Sequence, residues 1–171
     1  MRQGIHMRIG KMASNDYEIS LNCKRIPSSI LMIIMFSKAT EYALRATIYI
    51  AQNSSENNKV SIQAIAKAID SPRSFTAKIL QLLTRGNKII RSVPGPHGGF
   101  FITEKAKKLP ARFILRAMGE EETLEKCVLG LKECSEVSPC PMHSRYKFIK
   151  QQLKDLFESK TIQDLADELK N

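Results

Sequence analysis

The 171-residue sequence predicts a mostly helical fold that carries one small β-hairpin. Three observations lead there. Apolar residues recur at three- and four-residue steps from Met35 onward, the period of amphipathic helices. Two short strand-like runs, Lys88-Ile-Ile-Arg-Ser-Val93 and Phe100-Phe-Ile-Thr103, flank Pro94-Gly-Pro-His-Gly-Gly99, whose prolines and glycines demand a turn. The chain has no tryptophan and only 6% aromatic residues, which suits a core of Leu, Ile and Ala between helices.

The elements follow in order. Residues 1–34 show no sustained periodicity and are read as an N-terminal extension, disordered or a mis-assigned start, outside the fold. From Ser37 the pattern is helical, with Ala39, Tyr42, Ala43, Ala46 and Ile50 on one face. Asn53-Ser-Ser-Glu-Asn-Asn58 is a polar loop. Ser61 is placed to cap a short helix, Ile62–Ile69, because its hydroxyl can accept from a free first-turn N–H. Asp70-Ser71-Pro72 interrupts, and a proline is welcome where a helix begins, so a second helix is expected from about Pro72 to Thr84, with Phe75, Ile79, Leu82 and Leu83 inward. Two short helices joined by a tight turn make a helix-turn-helix, and a β-hairpin directly after it makes a winged helix.

Residues 110–118 read as a further helix, stopped by Gly119, after which an acidic stretch leads into a cysteine-bearing loop. A long helix is expected from His143 to about Glu158. Along it Met142, Tyr146, Ile149, Leu153 and Leu156 step by four, three, four and three, a heptad-like seam suited to a dimer interface. Thr161 can cap a last short helix, Ile162–Leu169. The expected organisation is therefore 1–34 extension, 35–118 winged helix-turn-helix, 119–143 cysteine loop, and 144–171 dimerisation helix and tail.

The net charge of +10 is unevenly placed. Residues 35–118 hold fourteen Lys/Arg against four Asp/Glu, whereas residues 119–171 hold eight against eleven. A basic block of this kind is the electrostatic footprint of a phosphate-binding surface, so double-stranded DNA is the expected partner. The second helix of the helix-turn-helix should enter the major groove by its N-terminal end. Arg73, Ser74, Thr76 and Lys78 occupy that end, and Arg73, Ser74 and Lys78 are assigned to base readout, since Arg and Lys can donate to guanine and Ser can pair with several bases. Arg91 and His97, on the hairpin, complete the candidate DNA contacts.

No apolar run approaches the ~20 residues needed to span a bilayer. The longest, Ile30–Phe36, is followed by Ser37-Lys38 and makes a poor signal peptide, so a cytoplasmic protein without a membrane partner is expected. There is no nucleophile elbow, phosphate-cradling P-loop or HExxH pattern, so neither an enzyme nor a small-molecule substrate is expected.

Three of the four cysteines and one histidine fall close together, as Cys127-Val-Leu-Gly-Leu-Lys-Glu-Cys134-Ser-Glu-Val-Ser-Pro-Cys140-Pro-Met-His143. In a reducing compartment such clustering points to metal or redox chemistry rather than disulfides. The Cys-x-x-Cys spacing of a zinc knuckle is absent. Wider loops suit an iron–sulfur cluster, whose bridging sulfides spread its thiolate ligands. By spacing alone, iron–sulfur, zinc, a thiol switch and unliganded cysteines all stay open.

Met35-Phe-Ser-Lys-Ala-Thr-Glu-Tyr-Ala-Leu-Arg-Ala46 resembles the opening of the Rrf2 family of bacterial winged-helix regulators. Val60-Ser-Ile-Gln-Ala-Ile-Ala66 looks like that family's first helix-turn-helix segment, Gly95-Pro-His-Gly-Gly-Phe100 like its wing, and the cysteine cluster like the ligand region of its IscR-type and NsrR-type members. The resemblance runs from residue 35 to about residue 165. It implies a homodimer, on a palindromic operator, with long C-terminal helices crossing between subunits. It also implies a [2Fe–2S] or [4Fe–4S] cluster, the [2Fe–2S] form being favoured, that senses redox state, nitric oxide or cluster status. Cys127, Cys134 and Cys140 are the implied ligands. IscR-type members place a ligand histidine where His143 stands. Some nitric-oxide-sensing members use a carboxylate from the partner subunit near the start of the first helix, where Glu41 stands, so Glu41 is the alternative fourth ligand. The first cysteine gap is one residue longer than in the IscR pattern, Pro94 replaces an Arg before the wing's Gly-Pro, and Ala77 replaces a discriminating Glu. Target sequence is therefore not carried over. The expected function is a transcription regulator, a repressor, whose operator affinity is controlled by the cluster. The alternatives are a zinc-stapled or cluster-free regulator, and a redox or protein-interaction module with incidental basic charge.

Overall fold

A computed structural model describes residues 36–85 and 89–169. The extension at residues 1–34 and the expected strand start at Lys88 lie outside the described residues. Helix α1, Lys38–Asn53, is central. Ser37 caps it by accepting the Thr40 N–H at 3.3 Å, and Thr40, Ala43, Leu44, Ala46, Thr47, Ile50 and Ala51 are all buried. So many small buried side chains let the neighbouring helices approach closely.

Helices α2, Ile62–Ala68, and α3, Arg73–Thr84, form the helix-turn-helix. Ser61 caps α2 as expected, accepting the Ala64 N–H at 3.2 Å. The turn is closed by Asp70 in the left-handed region, φ 52°, where a short polar side chain is tolerated. The Ser71 N–H donates to the Ala66 carbonyl and the Asp70 N–H to the Lys67 carbonyl, the paired bonds of a Schellman ending. Ile65, Ile69, Ile79, Leu80 and Leu83 pack with Ile50 in one core. Each such side chain contributes on the order of 1.5–3 kcal/mol on burial.

Strands β1, Ile90–Val93, and β2, Gly99–Ile102, pair antiparallel with Ile90 opposite Ile102 and Val93 opposite Gly99. The hairpin is not free-standing. Val60, just ahead of α2, exchanges both backbone hydrogen bonds with Phe100, at 2.9 and 2.8 Å, and so fixes the wing to the helix-turn-helix.

Helix α4, Glu104–Lys107, and a 3₁₀ turn, Glu121–Leu124, were not expected from the sequence. Between them α5, Arg112–Ala117, ends at Gly119, whose φ of 74° permits the reversal. The long helix α6, His143–Ser159, exposes most of its surface and buries only Phe157. Of the expected seam, Tyr146 and Leu153 are half-buried, while Met142, Ile149 and Leu156 face solvent beside Phe148, which is 72% exposed. The tail does not stay with α6. Helix α7, Ile162–Glu168, begins in a capping box of Thr161 and Asp164 and packs along α1, with Ile162 and Ala166 buried and Gln52 Nε2 donating to the Ala166 carbonyl at 2.6 Å. The Ala111 N–H donates to the Lys160 carbonyl at 2.8 Å and the Ile162 N–H to the Leu109 carbonyl at 3.0 Å, closing the chain onto the winged-helix core. The molecule is thus mostly α with a hairpin wing, and its last helix belongs to the same core as its first.

Candidate DNA-binding face and thiol cluster

On α3, Arg73, Ser74 and Lys78 are exposed, as a groove-reading end requires. Thr76 is not. It is 0% exposed and its hydroxyl donates to the Pro72 carbonyl at 3.1 Å, so it faces the core and is withdrawn from the DNA-contact set. Buried Thr76, Ile79, Leu80 and Leu83 follow the i, i+3, i+4, i+7 rule, which places Ser74, Lys78, Gln81 and Arg85 together on the opposite, exposed face. Gln81 and Arg85 therefore join the candidates, and that spacing was the signal for them. Arg91 and His97 are both exposed on the wing. The wing tip is compact because Gly98 donates its N–H to the Gly95 carbonyl at 2.9 Å, and a Cβ at Gly98 would lie 2.1 Å from the Val93 carbonyl oxygen.

The loop between the 3₁₀ turn and α6 gathers the three cysteines. Their sulfur atoms all lie within 4.8 Å of one another. The loop folds by short-range backbone bonds, Gly130 N–H to Cys127 and His143 N–H to Cys140, with Gly130 at φ 68°. Cys127 and Cys140 Sγ are 3.6 Å apart, and Cys134 Sγ is 3.1 Å from His143 Nδ1. Two thiolates on one tetrahedral metal, each at about 2.3 Å, would stand roughly 3.7 Å apart, so the first pair already has the spacing of two ligands on one metal atom. These groups line a cavity of about 380 Å³ shared with Lys147 and Lys150.

The electrostatics divide the sulfurs. The Leu129 backbone N–H holds the Cys127 thiol below its ordinary pKa against the opposing effect of burial. The Cys140 backbone N–H favours the Cys134 thiolate, but burial and the neighbouring Cys140 and Cys127 sulfurs outweigh it and push Cys134 up. Glu41 lies on α1, where its carboxylate is paired with Lys38 at 2.7 Å and Arg45 at 3.8 Å. Among the described residues of one chain, His143 is thus the fourth ligand candidate that meets the cysteines.

A web of ion pairs joins this region to the winged helix. Arg112 on α5 reaches Glu121 at 2.6 Å and Glu158 of α6 at 2.7 Å, and Arg116 reaches Glu121 at 2.6 Å. Lys150 of α6 donates to the Glu125 carbonyl at 3.0 Å, two residues before Cys127.

The profile of the Rrf2 family, described as an iron-dependent transcriptional regulator, matches residues 36–168. The chain belongs to the Rrf2 family of transcriptional regulators. It is 34% identical over 136 residues to an HTH-type transcriptional regulator of Aquifex aeolicus, covering 78% of this chain and 92% of that one. Among solved structures it superimposes on CymR (YrzC), the global cysteine regulator of B. subtilis, with a TM-score of 0.63 at 20% identity over 78% of this chain and 96% of that one. It also superimposes on T. potens IscR, with a TM-score of 0.59 at 19% identity over 81% and 90% of the two chains. These neighbours confirm the Rrf2 winged-helix fold. The family is one of DNA-binding regulators, and among the described residues no helix is long and apolar enough to cross a membrane.

Proposed function

We propose that this Rrf2 protein is a cytoplasmic, homodimeric repressor whose affinity for a palindromic operator is set by an iron–sulfur cluster held by Cys127, Cys134, Cys140 and His143. The observation that carries the reading is the convergence of three sulfurs within 4.8 Å in the loop that runs directly into the long helix α6. A set of three thiolates and one imidazole on widely spaced loop positions suits a [2Fe–2S] cluster better than a zinc knuckle. The family's iron-dependent description supports the same choice. Once bound, such a cluster supplies a centre that gains or loses electrons and reacts with nitric oxide.

The remaining steps belong to the chain's own residues. The exposed apolar face of α6, with Phe148, Ile149 and Leu156, has the character of a dimer seam. The cysteine loop ends at His143, the first residue of that helix, so the loop's order bears directly on where α6 starts. The ion pair from Glu158 of α6 to Arg112 passes that position to α5, which packs in one core with α3. Two recognition helices must stand about 34 Å apart to read successive major grooves, so a shift in α6 becomes a mismatch on DNA. Arg73, Ser74 and Lys78, with Arg91 and His97 on the wing, make the contacts.

Anaerobic purification tests the reading. A brown protein with visible absorption, iron and acid-labile sulfide is expected, and its affinity for a palindromic duplex should fall steeply as salt rises. A colourless protein carrying stoichiometric zinc would sink the sensor and leave a zinc-stapled regulator.

A further inference from the structure

Glu136 lies on the loop between Cys134 and Cys140 and takes no part in the ligand set described above. Its Oε1 atom is met from two sides by side chains of α6. Lys147 Nζ forms an ion pair with it, and His143 Nε2 lies 3.4 Å away. His143 and Lys147 are one helical turn apart, so they share a face and converge on the same oxygen. His143 Nε2 is buried and no well-formed hydrogen bond reaches it, while Nδ1 of the same ring lies 3.1 Å from Cys134 Sγ.

We infer that Glu136, held by Lys147, is a positioning residue that keeps the His143 proton on Nε2 and turns the bare Nδ1 towards the three sulfurs. A neutral imidazole has one donor and one acceptor nitrogen. A carboxylate beside Nε2 stabilises the N–H there and leaves the Nδ1 lone pair free, the arrangement by which outer carboxylates orient metal-binding histidines. The other tautomer would set a bare buried nitrogen against a carboxylate, two acceptors facing each other. The Cys134 thiol, 3.1 Å from Nδ1, can then donate to it. In the metal-free protein this makes a relay from Cys134 through the ring to Glu136 and Lys147. A metal taking the place of the Cys134 proton would meet the same Nδ1 lone pair. The inference rests on the proposal that the cysteines hold a metal, but it concerns a proton position that exists without one.

The test uses full-length, metal-free protein labelled with ¹⁵N-histidine, in mildly alkaline buffer, with the His143 signals assigned from a His143→Asn variant. Long-range ¹H–¹⁵N correlations should show the Nε2–H form. Glu136→Ala should shift the ring towards the Nδ1–H form, and Glu136→Asp should restore the wild-type pattern. A wild-type Nδ1–H ring, or a Glu136→Ala spectrum identical to wild type, overturns the inference. In loaded protein, Glu136→Ala should weaken the histidine nitrogen coupling in the pulsed EPR spectrum of the reduced cluster and lower metal affinity, on the order of tenfold. The two readings fail separately. A protein that binds no metal yet keeps the Glu136-dependent tautomer loses the cluster proposal alone. One that binds a cluster with a tautomer indifferent to Glu136 loses this inference alone.

Discussion

The rings of Phe36 and Phe157 meet edge to face, with centroids 5.4 Å apart and planes inclined at 69°. Phe36 enters α1 and Phe157 lies in the last turn of α6, so one aromatic contact fastens the far end of the long helix to the winged-helix core. Phe157 is the one buried residue of α6, at 6% exposure. Its truncation therefore removes the main apolar anchor of that helix. Phe157→Ala should cost about 3–5 kcal/mol in a urea titration, and Phe157→Leu distinctly less. Both should leave the far-UV helix signal of the folded state nearly unchanged.

Glu121 accepts from Arg116 and Arg112, and these guanidiniums lower its pKa from 4.5 to about 2 despite partial burial. A carboxylate with a depressed native pKa stabilises the fold above its unfolded value and loses that contribution as pH falls through the native one. Stability should thus decline between about pH 4.5 and pH 2, in part through this group. Both partners are partly exposed, so the effect is screened and should shrink at high salt. Thermal melts of Glu121→Gln across that range should show a shallower pH slope than wild type. An unchanged slope would mean that Glu121 carries no net weight.

The wing tip depends on the missing side chain of Gly98, since an added Cβ would strike backbone rather than a movable side chain. Gly98→Ala should open the turn and displace His97 while the Val60–Phe100 bonds keep the strands in place. Operator affinity measured by fluorescence anisotropy is expected to drop roughly tenfold, equivalent to about 1.4 kcal/mol, with little change in melting temperature. Retained affinity would remove the wing tip from the DNA interface.

The elements that were legible in the sequence are those whose signals are local. Ser61 and Thr161 announce helix starts because a capping hydroxyl bonds within three residues, and Pro94 to Gly99 announces a turn by composition. Helix α4 and the 3₁₀ turn escaped because four residues are too few to show a period. Residue type alone points Thr76 towards DNA, whereas its spacing from Ile79, Leu80 and Leu83 sets it on the inward face.

The sequence by itself determined the winged-helix class, the basic charge of residues 35–118 and the presence of a three-cysteine cluster with a histidine beside it. These follow from periodicity, composition and charge, which need no knowledge of distant contacts. Only the tertiary structure decided that α7 returns to α1, that Val60 locks the wing, that the three sulfurs converge with His143 Nδ1 beside them, and that Glu136 stands behind His143. Each of these depends on how helices and loops cross in space, and burial and backbone pairing settle such crossings among residues that are not neighbours in the chain.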